Sequence, residues 1–272
     1  MNDKNGTYMD RSRQFHVGQI ALSIGCIGLG AITLAYGDFA LQWQPISASL
    51  PGFKPAVYLS AAALLAAGIG IQIKRTARSV SFGLCAYFAL FWVLPHLIRL
   101  APHLASIAEW LGFCEVVGAL SGLIALYCLL SNPRGIAESW LLAVAQRLFG
   151  FCCIVFGMSH FVYARFTAEM IPAWFPARMA LAYITGSAHL LAGIAILVGL
   201  RASLAALLEA IMMSLFVLLL HLPSLWASPP PAWGPTWRTV ITPFFWATCL
   251  AGCAWLIAAS LRDRAGSNAT PP

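Results

Sequence analysis

Polar and apolar positions alternate along this chain in long blocks rather than residue by residue. Residues 1–16 are polar, with Lys4, Arg11 and Arg13 set against Asp3 and Asp10. An apolar run follows from Val17 to Tyr36. Seven more lie near 56–73, 80–99, 105–130, 141–162, 177–199, 202–222 and 238–261, parted by short clusters of Gly, Pro and charge. Each approaches the roughly 20 residues a helix needs to cross a bilayer core. The strict alternation of a barrel strand is absent. In hydrocarbon a backbone must satisfy its own hydrogen bonds, and a helix does so within one segment. The pattern predicts an all-α, polytopic membrane protein of about eight transmembrane helices. The first run is long for a signal-peptide core and no small-x-small cleavage site follows it, so it reads as a membrane helix. Glycines such as Gly25, Gly28, Gly30, Gly68, Gly70, Gly118 and Gly122 would let helices approach closely.

The blocks also look duplicated. Tyr36-Gly37-Asp38-Phe39 aligns with Met158-Ser159-His160-Phe161 at an offset of 122, Ala67-Gly68-Ile69 with Ala192-Gly193-Ile194 at 125, Pro95 with Pro223 at 128 and Gly122 with Gly252 at 130. A slowly growing offset fits small insertions in connections, and four spans per copy make the repeat parallel. Chance likeness of apolar stretches is the competing reading. The expected organisation is a cytoplasmic segment 1–16, a first four-helix repeat 17–130, a linker 131–140, a second four-helix repeat 141–261 and a cytoplasmic tail 262–272.

Composition strengthens the membrane reading. Apolar residues make up 60% and charged residues 9%, with a mean hydropathy of +0.81. Soluble domains carry about 25% charged residues, so most of this surface must face lipid. The net charge of +7 lies in the junctions between runs, which points to topology rather than nucleic acid. With both termini cytoplasmic, 11 Lys and Arg fall inside and 5 outside. This favours a multi-pass protein of the inner (plasma) membrane with both ends in the cytoplasm. Trp43, Trp110, Trp174, Trp226, Trp233 and Trp237 then gather on the outer side as an aromatic belt. The eight cysteines lie inside apolar runs with no zinc-type spacing, and read as free packing thiols with no metal site.

Polar groups within the runs need a reason, since a central charge costs about 2.5–3.5 kcal/mol on insertion scales. His160 and His221 lie near the outer ends of the fifth and seventh runs, and His189 lies about 12 residues into the sixth. The three are expected to line one outward-opening cavity as ligand-binding residues, where imidazole ligates a metal or haem, hydrogen-bonds a quinone carbonyl or passes a proton. The alternative is that His160 and His221 cap helix ends while His189 bonds a neighbouring helix. The first copy has Asp38, His96 and Glu115, a candidate second site or the remnant of one. Arg147 and Glu209 lie at similar depth from the inner side and are expected to form a structural ion pair. The outer loop 162–178 reads as an ordered connector that could lid the cavity, and the proline-rich 223–237 as a stiff loop. No Walker-type loop, dinucleotide fingerprint, Gly-x-Ser-x-Gly or His-Glu-x-x-His occurs, so no catalytic residue is assigned.

Gly157 to Phe161, Ile171-Pro172, Thr185-Gly186 with a polar residue three on, Ala192-Gly193 and Arg201 together resemble the DoxX-like family of four-helix membrane proteins. The resemblance covers about residues 145–260, with a looser copy over 15–130. Where the family often has glutamate three residues after the Thr-Gly pair, this chain has His189. The resemblance implies membrane redox work, as in a subunit of thiosulfate:quinone oxidoreductase, and with it a quinone or similar apolar ligand, surrounding membrane lipid and a partner redox subunit. Relatives in protein trafficking imply the alternative of a non-catalytic scaffold or assembly factor. A lipid or small-solute transporter is a third reading. The runs hold few charges and show no clearly interrupted pair, which weighs against it.

Overall fold

A computed structural model of the chain describes residues 4–131, 135–226 and 236–261. Among these residues the regular structure is helical and contains no strand. Eight helices are long and apolar enough to cross a membrane: α1 (Lys4–Tyr36), α2 (Phe53–Gly70), α3 (Ala77–Leu100), α4 (Ile107–Leu129), α5 (Ile136–Val162), α6 (Arg178–Val198), α7 (Ala202–Ser224) and α8 (Trp237–Ser260). A short helix, Ala164–Met170, lies between α5 and α6. Part of the expected linker (132–134), most of the proline-rich loop with Trp233 (227–235) and the tail from residue 262 lie outside the described residues.

The helix α1 begins at Lys4, well ahead of the expected start at Val17. No glycine or proline occurs from Thr7 to His16 to stop a helix there. The outer connector expected at 162–178 is ordered by its own short helix.

Neighbouring helices form a closed ring, α1 to α8 in chain order and α8 back to α1, with α4 also packed on α8 across the middle. The most extensive interfaces are α1 with α8, α5 with α6, α4 with α5 and α1 with α2. Moving four helices along the chain carries α1–α2 onto α5–α6, and α4–α5 onto α8–α1. Helix starts correspond too. Ser106 Oγ accepts from the Glu109 N–H ahead of α4, and Thr236 Oγ1 accepts from the Thr239 N–H ahead of α8, each satisfying an orphan donor of the first turn.

Lipid tails are as apolar as the helix faces, so helices associate in a bilayer chiefly by close backbone packing. Two of the contacts that need glycine for that reason hold neighbouring helices together. A Cβ on Gly252 would come within 2.5 Å of the Leu22 backbone nitrogen, which is how α8 lies against α1. A Cβ on Gly157 would come within 2.6 Å of Gly186 O, which is how α5 meets α6. The aromatic core is a stack. Phe88 and Trp92 lie 4.7 Å apart between ring centroids, Trp92 and Trp246 5.0 Å, and Trp43 and Trp246 5.6 Å. It ties α3, α8 and the segment after α1 together. Trp43 is therefore buried at 6% exposure rather than set in the expected interfacial belt, while Trp174, Trp226 and Trp237 are exposed.

Two helices are interrupted at corresponding places. In α3 a π-turn covers Ala89–Val93, followed by Pro95; in α7 one covers Val217–His221, followed by Pro223. Proline has no N–H to give the carbonyl four residues back, and its ring crowds that carbonyl. A widened turn ahead of the proline absorbs both problems. Hydropathy alone could not reveal this, because the interrupted turns are as apolar as the rest.

Candidate functional site

The ends of α3, α5 and α7 and the starts of α4, α6 and α8 surround one cavity of about 960 Å³. It occupies the half of the bundle away from the start of α1. His160, His189 and His221 all line it, and so do His96 and Glu115 from the first half of the chain. Most of the remaining wall is apolar, including Phe156, Phe216 and Leu250. The connector contributes Phe166, Met170 and Phe175 to one edge.

His189 sits on α6 with its Nδ1 2.7 Å from Glu209 Oε1 on α7, both side chains almost wholly buried. The second carboxyl oxygen, Oε2, is buried without a hydrogen-bond partner among the described residues, and the Cys153 thiol lies beside the carboxyl group. Glu209 thus faces His189 rather than Arg147, which corrects the expected ion pair. Arg147 is exposed on α5, and α5 and α7 share no broad interface because α6 lies between them.

The His160 and His189 ring centroids are 5.1 Å apart at 70°. Thr185 and Gly186 together set His160. Its Nδ1 lies 3.0 Å from Thr185 Oγ1 and 3.2 Å from Ala182 O. Gly186 leaves the room, since a Cβ there would stand 2.7 Å from the His160 Cβ. His221 closes the π-turn of α7, where the extra residue per turn changes the direction of the side chains that follow.

On the first-half wall, His96 Nε2 lies 3.3 Å from Trp43 O, while its Nδ1 is buried without a partner among the described residues. Trp43 Nε1 donates to Glu115 Oε2 at 2.6 Å. Arg99 and Glu109 pair at 2.9 Å nearby on the lining. Asp38, expected with His96 and Glu115, is elsewhere. Gly37, at φ +59°, turns the chain out of α1, and Asp38 pairs with Arg238 at 2.9 Å with 43% of its side chain exposed. Asp38 does not line the cavity.

Sequence reasoning missed Trp43 and Trp246 as cavity walls and His189–Glu209 as a pair. The second had a signal. His189 is the twelfth residue of α6 and Glu209 the eighth of the antiparallel α7. At about 1.5 Å per residue these depths, counted from opposite faces, meet near the same level. Among the described residues no group of three or more His, Cys, Asp or Glu is placed to hold a metal ion. All eight cysteines are free thiols, seven of them buried.

A family model described as "Domain of unknown function (DUF8561)" matches residues 149–243. That stretch holds His160, His189, Glu209 and His221 but neither His96 nor Glu115. The chain matches no curated protein and no solved structure.

Proposed function

We propose that this protein binds an apolar, membrane-borne ligand of the quinone class, in keeping with its resemblance to DoxX-like redox-associated subunits, and that it works beside a partner redox subunit. One observation carries the reading. Two imidazoles, one of them backed by a buried carboxyl group, meet in a largely apolar hollow of about 960 Å³. That volume is near the upper end of the ~300–1,000 Å³ of small-ligand pockets, room for a ring with part of an isoprenoid tail. Intramembrane ionisable groups are costly to keep and mark ligand or proton sites by default. The first-half residues widen the reading from a site in the second repeat to one shared by both halves. We read the chain as a duplicated four-helix unit in the plasma membrane, both ends cytoplasmic, with the cavity opening outward.

Purification in mild detergent followed by solvent extraction and mass spectrometry tests it. Wild-type protein should carry a quinone-class lipid near one per chain, and His160→Phe, which leaves the His189–Glu209 pair in place, should lose most of it while keeping its melting temperature within a few degrees. Background lipid alone in both samples would overturn the proposal.

A second reading, passage of a lipid or small solute across the membrane, is favoured by the paired π-turns of α3 and α7. Interrupted helices at matching places in two halves are a mark of transport sites. Ligand movement across sealed proteoliposomes, above that of empty ones, separates it from binding alone.

A further inference from the structure

The hydrogen-bond polarity of the cavity says which oxidation state of such a ligand fits. A neutral imidazole has one N–H and one accepting nitrogen. A backbone carbonyl oxygen only accepts, so the ring nitrogen facing it must carry the hydrogen. Two cavity imidazoles are placed this way. His96 Nε2 faces Trp43 O at 3.3 Å and His160 Nδ1 faces Ala182 O at 3.2 Å. The nitrogens left over, His96 Nδ1 and His160 Nε2, are therefore acceptors. His96 is only 3% exposed, and its Nδ1 has no partner among the described residues. Gly112, also on the lining, keeps this ring edge uncovered, because a Cβ there would stand 3.1 Å from His96 Cε1 and 3.2 Å from Nδ1.

Several donors on the lining are spent within the protein. Ser159 Oγ donates to Phe156 O at 2.7 Å, Thr185 Oγ1 to Leu181 O at 2.9 Å and Trp43 Nε1 to Glu115 Oε2 at 2.6 Å. Trp246 Nε1 is buried without a partner among the described residues. A ligand that only accepts would leave the two imidazole acceptors unsatisfied.

Resting on the ligand-binding proposal above, we infer that the cavity selects the reduced, hydroxyl-bearing form of its ligand over the carbonyl-bearing form. The hydroxyls of a quinol donate where the carbonyls of a quinone cannot. His96 on one half and His160 on the other give a ring with two hydroxyls an acceptor at each end. The oxidised ring would leave the buried His96 Nδ1 unpaired. A site built to take up a donor discriminates strongly against an analogue that lacks it.

The test is calorimetric titration of the full-length protein in detergent, under anaerobic conditions, with a short-tailed benzoquinol and with the quinone bearing the same tail. The quinol should bind at least about tenfold more tightly. His96→Phe should cut that preference to about threefold or less, the larger loss falling on the quinol. Gly112→Ala, which covers the same ring edge without removing the imidazole, should do likewise if His96→Phe does not fold. Equal binding, or tighter binding of the quinone, would overturn the inference and leave the ligand site standing. Loss of both forms in equal measure in a folded variant would also overturn it. Binding of neither form by wild-type protein would bring down both this inference and the reading beneath it.

Discussion

His189 Nδ1 and Glu209 Oε1 meet 2.7 Å apart near mid-bundle, and neither side chain is more than 3% exposed. A buried carboxyl group left without its partner is strongly destabilising. His189→Ala is therefore expected to cost about 3–5 kcal/mol. Glu209→Gln, which can still accept from the ring through its amide oxygen, should cost clearly less. Denaturant titration in detergent micelles checks both, and equal losses would argue against the pair.

Arg147 offers the opposite expectation. It is exposed and outside the Glu209 pair, so Arg147→Ala should change stability by less than about 0.5 kcal/mol. A loss comparable to that of His189→Ala would restore an ion pair between Arg147 and Glu209.

Gly186→Ala should act on both packing and site. The new methyl would meet the His160 Cβ at 2.7 Å, and overpacking of this kind costs about 1–3 kcal/mol. His160 would be pushed off Thr185. Melting temperature and ligand content should fall together, whereas loss of neither would mean that α5 and α6 are not this close.

Asp38→Asn should do little. The Arg238 pair is half in solvent, and exposed pairs are worth about 0–1 kcal/mol. Arg238 also keeps its 2.6 Å bond to Phe39 O. Ligand content should be unchanged, and a marked drop would put Asp38 back in the site.

The helices were legible because hydropathy decides them. Runs of apolar residues bounded by Gly, Pro and charge locate the eight spans to within a few residues, apart from the early starts of α1 and of α5, which begins at Ile136 inside the expected linker. His160, His189 and His221 were legible as polar groups in costly surroundings. Which group each one faces was not. Glu209 was paired with Arg147 because depth was matched along one face of the membrane only, and the order of helices around the ring is absent from a linear pattern. Trp43 passed for an interfacial tryptophan because its position beside the first span suits both roles. Its Glu115 bond and its stack on Trp246 depend on residues 72 and 203 positions away. The π-turns have a visible cause in Pro95 and Pro223, but a proline inside an apolar run signals a disturbance without saying what form it takes.

The α4–α8 brace and the shared walls have a consequence for symmetry. A protein built only on residues 149–243 would carry His160, His189 and His221 without the His96 and Glu115 wall, and could enclose such a chamber only by facing its twin. The guest would then meet two equivalent faces and have two equivalent poses. One polypeptide that supplies both faces lets them diverge, His160, His189 and His221 on one side, His96 with Trp43 and Glu115 on the other, so the proposed ligand would have a single heads-or-tails orientation.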